Sequence, residues 1–226
     1  ILADYNCDGK NDIYTYSTGG VAIYKNTSTT SLSFSLVTDL VMSDYGGPSP
    51  INIYISAVDI PAVSDIDYDG DLDILTFKIT GGFIEFHKNM AMETIGSCDT
   101  VLFELSESCW GNFYEGLNNY TLNCQNCQCP PIINHPNVKQ KHAGSTLLAI
   151  DIDNDYDKDI VLGDISFSNL NLLINGGDSI SANMISVDSM FPQNNSNTIP
   201  ASMDIFPAAY YLDLTDDGIK DLIVTS

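Results

Sequence analysis

Arginine is absent from this chain. All eight basic residues among its 226 are lysine, against 30 Asp and Glu, and the formal net charge is −22. That balance excludes a nucleic-acid partner, because backbone binding requires a cationic face to replace phosphate counterions. Docking on an anionic membrane surface is disfavoured for the same reason. No apolar run approaches the roughly 20 residues of a membrane span, so no membrane insertion is expected. No charged segment followed by an apolar stretch marks a leader. Sustained helical periodicity is also missing, which leaves strands and turns. Histidine is scarce, at three residues (His87, His135, His142), and G-x-S-x-G, H-E-x-x-H and P-loop motifs are all absent. The chain therefore reads as non-catalytic. Disorder is excluded by 44% apolar and 10% aromatic residues, with only 17% charged. The chain starts at Ile1 and both of its ends fall in apolar runs, so it reads as an excerpt of a longer polypeptide.

The acid that is present is clustered, and the clusters repeat. Four nine-residue segments start at Asp4, Asp65, Asp151 and Asp213 and end at Asp12, Asp73, Asp159 and Asp221. They share the pattern D-x-[DNT]-x-D-G-x-x-D followed by an apolar strand, at intervals of 61, 86 and 62 residues. The flanks repeat as well. A short apolar run precedes each segment (Ile1 to Ala3, Pro61 to Val63, Leu147 to Ile150, Ala208 to Leu212). A further strand follows the first three (Gly20 to Asn26, Gly82 to Asn89, Asn169 to Asn175), and Phe34 to Val37 reads as a fourth strand of the first unit. Ile51 to Ile55 alternate apolar and polar and read as strand. A unit of about 60 residues with four short strands has the size of a large propeller blade.

The spacing carries chemistry. Carboxylates at positions 1, 3, 5 and 9 of a tight loop converge on one hard cation, and a carbonyl at position 7 adds another oxygen; Ca²⁺ takes 6–8 such ligands. A Gly at position 6 allows the bend that returns position 9 to the site. The four loops hold 17 of the 30 acidic residues, and four Ca²⁺ ions would change the net charge from −22 to −14. Ordinary Asx-rich turns would not recur four times in phase with matching strands. An EF-hand needs Glu at position 12 and flanking helices; position 12 is Thr15, Thr76, Leu162 or Val224, inside a strand.

This unit, at its period, resembles the FG-GAP/VCBS repeats of integrin-like β-propellers. The resemblance implies an all-β fold of four-stranded blades over residues 1–226, part of a larger ring of seven, with the remaining blades in the same polypeptide. It implies Ca²⁺, up to four ions, bound between the first two strands of each blade. Carried over, the ligands are Asp4, Asn6, Asp8 and Asp12 with the Lys10 carbonyl; Asp65, Asp67, Asp69 and Asp73 with that of Asp71; Asp151, Asp153, Asp155 and Asp159 with that of Asp157; and Asp213, Thr215, Asp217 and Asp221 with that of Ile219. Two departures stand out. Tyr156 occupies the Gly position of the third loop, and neutral Thr215 occupies position 3 of the fourth. Ligand charge predicts tightest binding in the second loop and weaker binding in the first and fourth.

The long middle interval contains an insertion, 96–142, with Cys98, Cys109, Cys124, Cys127 and Cys129; Cys7 lies outside it. Disulfides are expected, as staples for a segment without its own core and in an extracellular setting, with connectivity open. The competing zinc reading of Cys124, Cys127, Cys129 and His135 lacks a second Cys pair. Within the insertion, Ser106 to Glu115 resembles secreted type IX system cargo of Bacteroidota, as do the D-[ST]-apolar triplets at Thr100, Ser179 and Ser189, a possible O-glycosylation signal. Sequons occur at Asn26, Asn119 and Asn194. The expected role is a calcium-stabilised recognition, adhesion or scaffold module of a secreted or cell-surface protein. It would bind a protein or glycan, with Trp110, Phe113 and Tyr114 as anchors. The alternative is the propeller domain of a secreted hydrolase or other enzyme, with its active site here or elsewhere in the polypeptide.

Overall fold

In the computed structural model, which describes residues 1–116, 119–124 and 144–226, each acidic loop is the tip of a β-hairpin. Strands β1 (Leu2–Ala3), β2 (Asp12–Ser17), β3 (Gly20–Asn26) and β4 (Phe34–Thr38) form an antiparallel meander in sequence order. β5 (Met42–Asp44) and β6 (Ile51–Asn52) make a short hairpin. The second meander is β7 (Ala62–Ser64), β8 (Asp73–Phe77), β9 (Ile84–Asn89) and β10 (Phe103–Trp110), with the one-turn helix α1 (Ala91–Ile95) between its last two strands. β5 joins this sheet by pairing parallel to β10, Ser43 opposite Phe103. β11 (Tyr114–Glu115) and β12 (Tyr120–Thr121) form a small hairpin. The third meander is β13 (Ser145–Ile150), β14 (Asp159–Asp164), β15 (Leu170–Asn175) and β16 (Met184–Phe191). β17 (Ala208–Leu212) and β18 (Asp221–Thr225) pair as a hairpin around the fourth loop.

The sheets pack face to face in chain order, with apolar layers between them. Tyr14, Ile23, Val41, Ile53, Ile74 and Phe103 fill the first interface. Leu75, Phe77, Ile84, Phe86, Leu147, Ile160 and Leu162 fill the second. Ile150, Val161, Leu172, Phe191 and Ala209, with Leu222 and Val224, fill the third. A strand between two neighbours is buried on both faces, so it needs no polar alternation. That is why β8 and β14 are buried at every residue. Outer strand β4 has neither face covered and is mostly exposed. The sheets approach so closely at β14 that a Cβ on Gly163 would fall 1.8 Å from the Pro207 carbonyl oxygen, which Thr146 Oγ1 bonds at 2.9 Å.

The proposed insertion boundary needs correction. Its first part is the fourth strand of the second meander, because β10 pairs with β9 along its length. Trp110 (2% exposed) and Phe113 (0%) sit in the second core layer beside Met184, so they are packing residues and not exposed anchors. Tyr114 remains exposed, its ring against Phe83. The run Ile51 to Ile55 is strand only at its first two residues; Ile53 and Ile55 turn into the core. Cys7 and Cys98 are disulfide-bonded across 91 residues, which fits an oxidising, extracellular setting. Cys109 and Cys124 are each held in a disulfide, which removes Cys124 as a zinc ligand. Cys127, Cys129, His135 and His142 lie outside the described residues. Among the described residues no helix is long and apolar enough to cross a membrane.

Candidate metal centres

All four loops share one hydrogen-bond frame. The backbone N–H of position 5 donates to one oxygen of the position 1 carboxylate at 3.1–3.2 Å. The N–H of position 6 donates to its other oxygen at 2.7–3.2 Å. Position 7 donates to the position 5 carboxylate at 2.9–3.1 Å. Position 2 donates to position 9 at 2.9–3.1 Å. Two residues per loop hold positive φ. Position 6 has Gly9, Gly70, Tyr156 and Gly218, and position 4 has Cys7, Tyr68, Asn154 and Asp216. Tyr156 takes the glycine conformation at φ 70°. The positive φ at position 4 has no glycine to announce it.

Position 9 is anchored by an element that the loop pattern does not contain. Asp12, Asp73 and Asp159 are fully buried, and their remaining oxygen accepts the N–H of Asn26, Asn89 and Asn175 at 2.6–2.8 Å. Those asparagines end β3, β9 and β15. Their recurrence at one place in three strands is the sequence signal that could have found them.

The second and third loops gather oxygens most closely. One oxygen each from Asp65, Asp67 and Asp73 lies within 4.8 Å of the others, and the same holds for Asp151, Asp153 and Asp159. Oxygens around a single Ca²⁺ at 2.3–2.6 Å stand up to about 5 Å apart, so both sets fit one ion. Buried carboxylate oxygens in these loops lack a hydrogen-bond donor: Asp67 Oδ1 and Asp71 Oδ1, and both oxygens of Asp157. Burial pushes the carboxyls up, Asp73 to about 8, Asp69 and Asp157 to about 7, and Asp159 to about 6; the Asp155 and Asp159 charges add to the shift at Asp157. A cation would relieve this repulsion.

Lysines already contribute to the first two loops. From β9, the Lys88 ammonium bonds Asp67 and Glu93 of α1 and lies 3.3 Å from Asp69. From β3, Lys25 donates to Asn6 at 2.6 Å with that amide oriented to satisfy both its ends, as it also bonds Asp4 and Asp12. The matching residue before Asn175 is Ile174. The third loop thus lacks a lysine from this strand position, but its own Lys158 carries charge close to Asp151 and to Asp65 of the second loop. The first and fourth loops keep the backbone frame, but among the described residues neither forms a comparably tight carboxylate cluster.

Neighbouring loops touch. Tyr68 Oη donates to Asp151 Oδ2 at 3.1 Å, the Tyr68 and Tyr156 rings lie 6.1 Å apart, and Lys158 Nζ stands 3.9 Å over Tyr68. Cys7 Sγ approaches the Gly70 carbonyl at 3.7 Å. Elsewhere, His87 Nδ1 lies 3.0 Å from Ser43 Oγ and Nε2 lies 3.6 Å from Glu85. His87 and Ser43 are wholly buried, so this group ties β5 to β9 across β10 without access for a substrate. Of the glycosylation candidates, Ser189 is exposed while Thr100 and Ser179 are half-buried.

No protein-family model and no curated protein matches the chain. Among solved structures, a lectin from Agrocybe aegerita that recognises non-reducing terminal N-acetylglucosamine is similar at 16% identity and a TM-score of 0.42, over 99% of this chain. The chain spans 46% of that protein's length, and the likeness is too distant to carry fold or function.

Proposed function

We propose that the chain is a calcium-stabilised, non-catalytic recognition module of a secreted or cell-surface protein, built as consecutive blades of an FG-GAP/VCBS-type propeller. The observation that carries this reading is the same four-bond frame in four loops, combined with buried carboxylate oxygens that have no donor in the second and third. Ca²⁺ fits that donor set: hard, anionic, oxygen-only and crowded. In the third loop Asp151, Asp153, Asp155 and Asp159 would hold the ion, with the Asp157 carbonyl. In the second, Asp65, Asp67, Asp69 and Asp73 would hold it, with the Asp71 carbonyl. The ion would neutralise the carboxylates and fix each hairpin tip, a structural role. Face-to-face meanders in chain order suit a ring of blades whose other members belong to the same polypeptide. The recognition partner is a protein or glycan.

The test is a thermal melt in millimolar Ca²⁺ and in excess chelator. One site held at 100 times its Kd adds about 2.7 kcal/mol, so several sites should move the midpoint by many degrees. An unchanged midpoint, with no ion released from the native protein, would reduce the loops to acidic turns.

A further inference from the structure

A cleft of about 150 Å³ opens between the β11–β12 hairpin and the β14–β15 connection, lined by Glu115, Tyr120, Asp164, Phe167, Asn169 and Asn171. It lies at the end of β14 away from the third loop. Asp159 and Asp164 are separated by five residues of strand, about 17 Å. The cleft therefore shares no residue with the metal centres.

Its polar groups are held in place. Ser145 Oγ donates to Glu115 at 3.2 Å, the Ser166 N–H donates to Asp164 at 2.5 Å, and Asn169 Nδ2 donates to Asn171 Oδ1 at 3.2 Å. Asp164, Asn171 and Glu115 are 5%, 7% and 6% exposed. Burial, and then the charges of Glu115 and Asp164, raise the Tyr120 hydroxyl well above the usual tyrosine range. No Lys or His is among the described lining residues, which argues against a phosphate or carboxylate ligand. Carboxylates accept hydrogen bonds, amides offer both donors and acceptors, and the Tyr120 and Phe167 rings offer apolar surface. A sugar ring answers all three, with hydroxyls that donate and accept and a C–H face that packs on aromatic carbon. The volume is below the roughly 300–1,000 Å³ of clefts for drug-sized ligands, so it suits one ring and not a longer chain.

We propose that this cleft binds one neutral sugar ring, the terminal unit of a glycan. The proposal deepens the recognition reading above by naming the ligand class and the place. The probes are methyl glycosides of the common neutral hexoses and N-acetylhexosamines, tested with the calcium-saturated chain by saturation-transfer NMR. At least one should show transfer, and its addition should shift the amides of Glu115, Phe167 and Asn169 in the unmodified protein. Phe167→Ala and Asn169→Ala, on the partly exposed connection, should each weaken binding by about tenfold while leaving the calcium-dependent melt unchanged. No transfer from any glycoside overturns the proposal. So does transfer that persists in both variants, or amide shifts confined to other residues. Transfer from choline with none from the sugars would make the cleft a cation site. Any of these with an intact calcium shift would leave the module reading standing; loss of the calcium shift would remove that reading independently.

Discussion

Lys88 is the residue that bears most directly on the second candidate metal centre. Its side chain leaves β9 and ends among Asp67, Asp69 and Glu93, where it offsets repulsion that five aspartates create in the second loop. An ion entering there must displace or share that ammonium. Lys88→Gln is therefore expected to strengthen calcium binding at the second loop by about tenfold, the equivalent of ~1.4 kcal/mol, and to lower the melting point in chelator. Calorimetric titration of the variant reads both the affinity and the site count; an unchanged affinity would mean the lysine leaves the loop at no cost. Tyr156 is the other single-residue departure. Its φ of 70° carries roughly 1–2 kcal/mol of left-handed strain, and its contact with the Tyr68 ring offsets part of that.

At the scale of one loop, position 9 matters more than its place at the end of the motif suggests. Asp159 accepts the N–H groups of Ile152 and Asn175, at 3.0 and 2.8 Å, and is fully buried. Asp159→Ala orphans both donors, each costing about 1–3 kcal/mol, so urea unfolding in calcium should lose about 2–6 kcal/mol. Asp221→Ala removes one exposed acceptor, that of Leu214, and should cost under about 1 kcal/mol. The loops also set a pH dependence. Burial raises Asp73, Asp157 and Asp159 to about 8, 7 and 6 in the folded chain, from an ordinary aspartate value of 3.8. The native state then holds more protons than the unfolded one, so stability falls as pH rises through that interval. In chelator the melting point should drop steadily from about pH 4 to about pH 8; in calcium the drop should be much smaller. A flat profile in chelator would contradict the crowding described for these loops.

Across the whole molecule, the Cys7–Cys98 disulfide joins the first loop to the turn after α1, and so the first sheet to the second, over a sequence separation of 91. Closing so long a loop restricts the unfolded chain, and natural disulfides of this kind contribute about 2–4 kcal/mol. The double variant Cys7→Ser/Cys98→Ser should lose that amount in denaturant titrations in calcium. A loss near zero would mean the first apolar interface alone holds the two sheets together.

The loops and their hairpins were legible in the amino-acid order because their hydrogen bonds close within nine residues. Asp4 and Asp12, or Asp151 and Asp159, are near neighbours along the chain, and local spacing dictates the turn that unites them. The apolar strands beside them were legible for a similar reason: composition decides which strands can be buried on both faces. What depends on chain segments far apart was not. The parallel pairing of β5 with β10, the burial of Trp110 and Phe113, the lysine among the second loop's carboxylates and the cleft between β11–β12 and β14–β15 all require surfaces that exist only after the sheets have stacked. Position 4 falls between these cases: its positive φ is local, but a Cys, Tyr, Asn or Asp there carries no common signal. Local hydrogen bonding is written in spacing, whereas burial and long-range ion pairing are properties of the packed molecule.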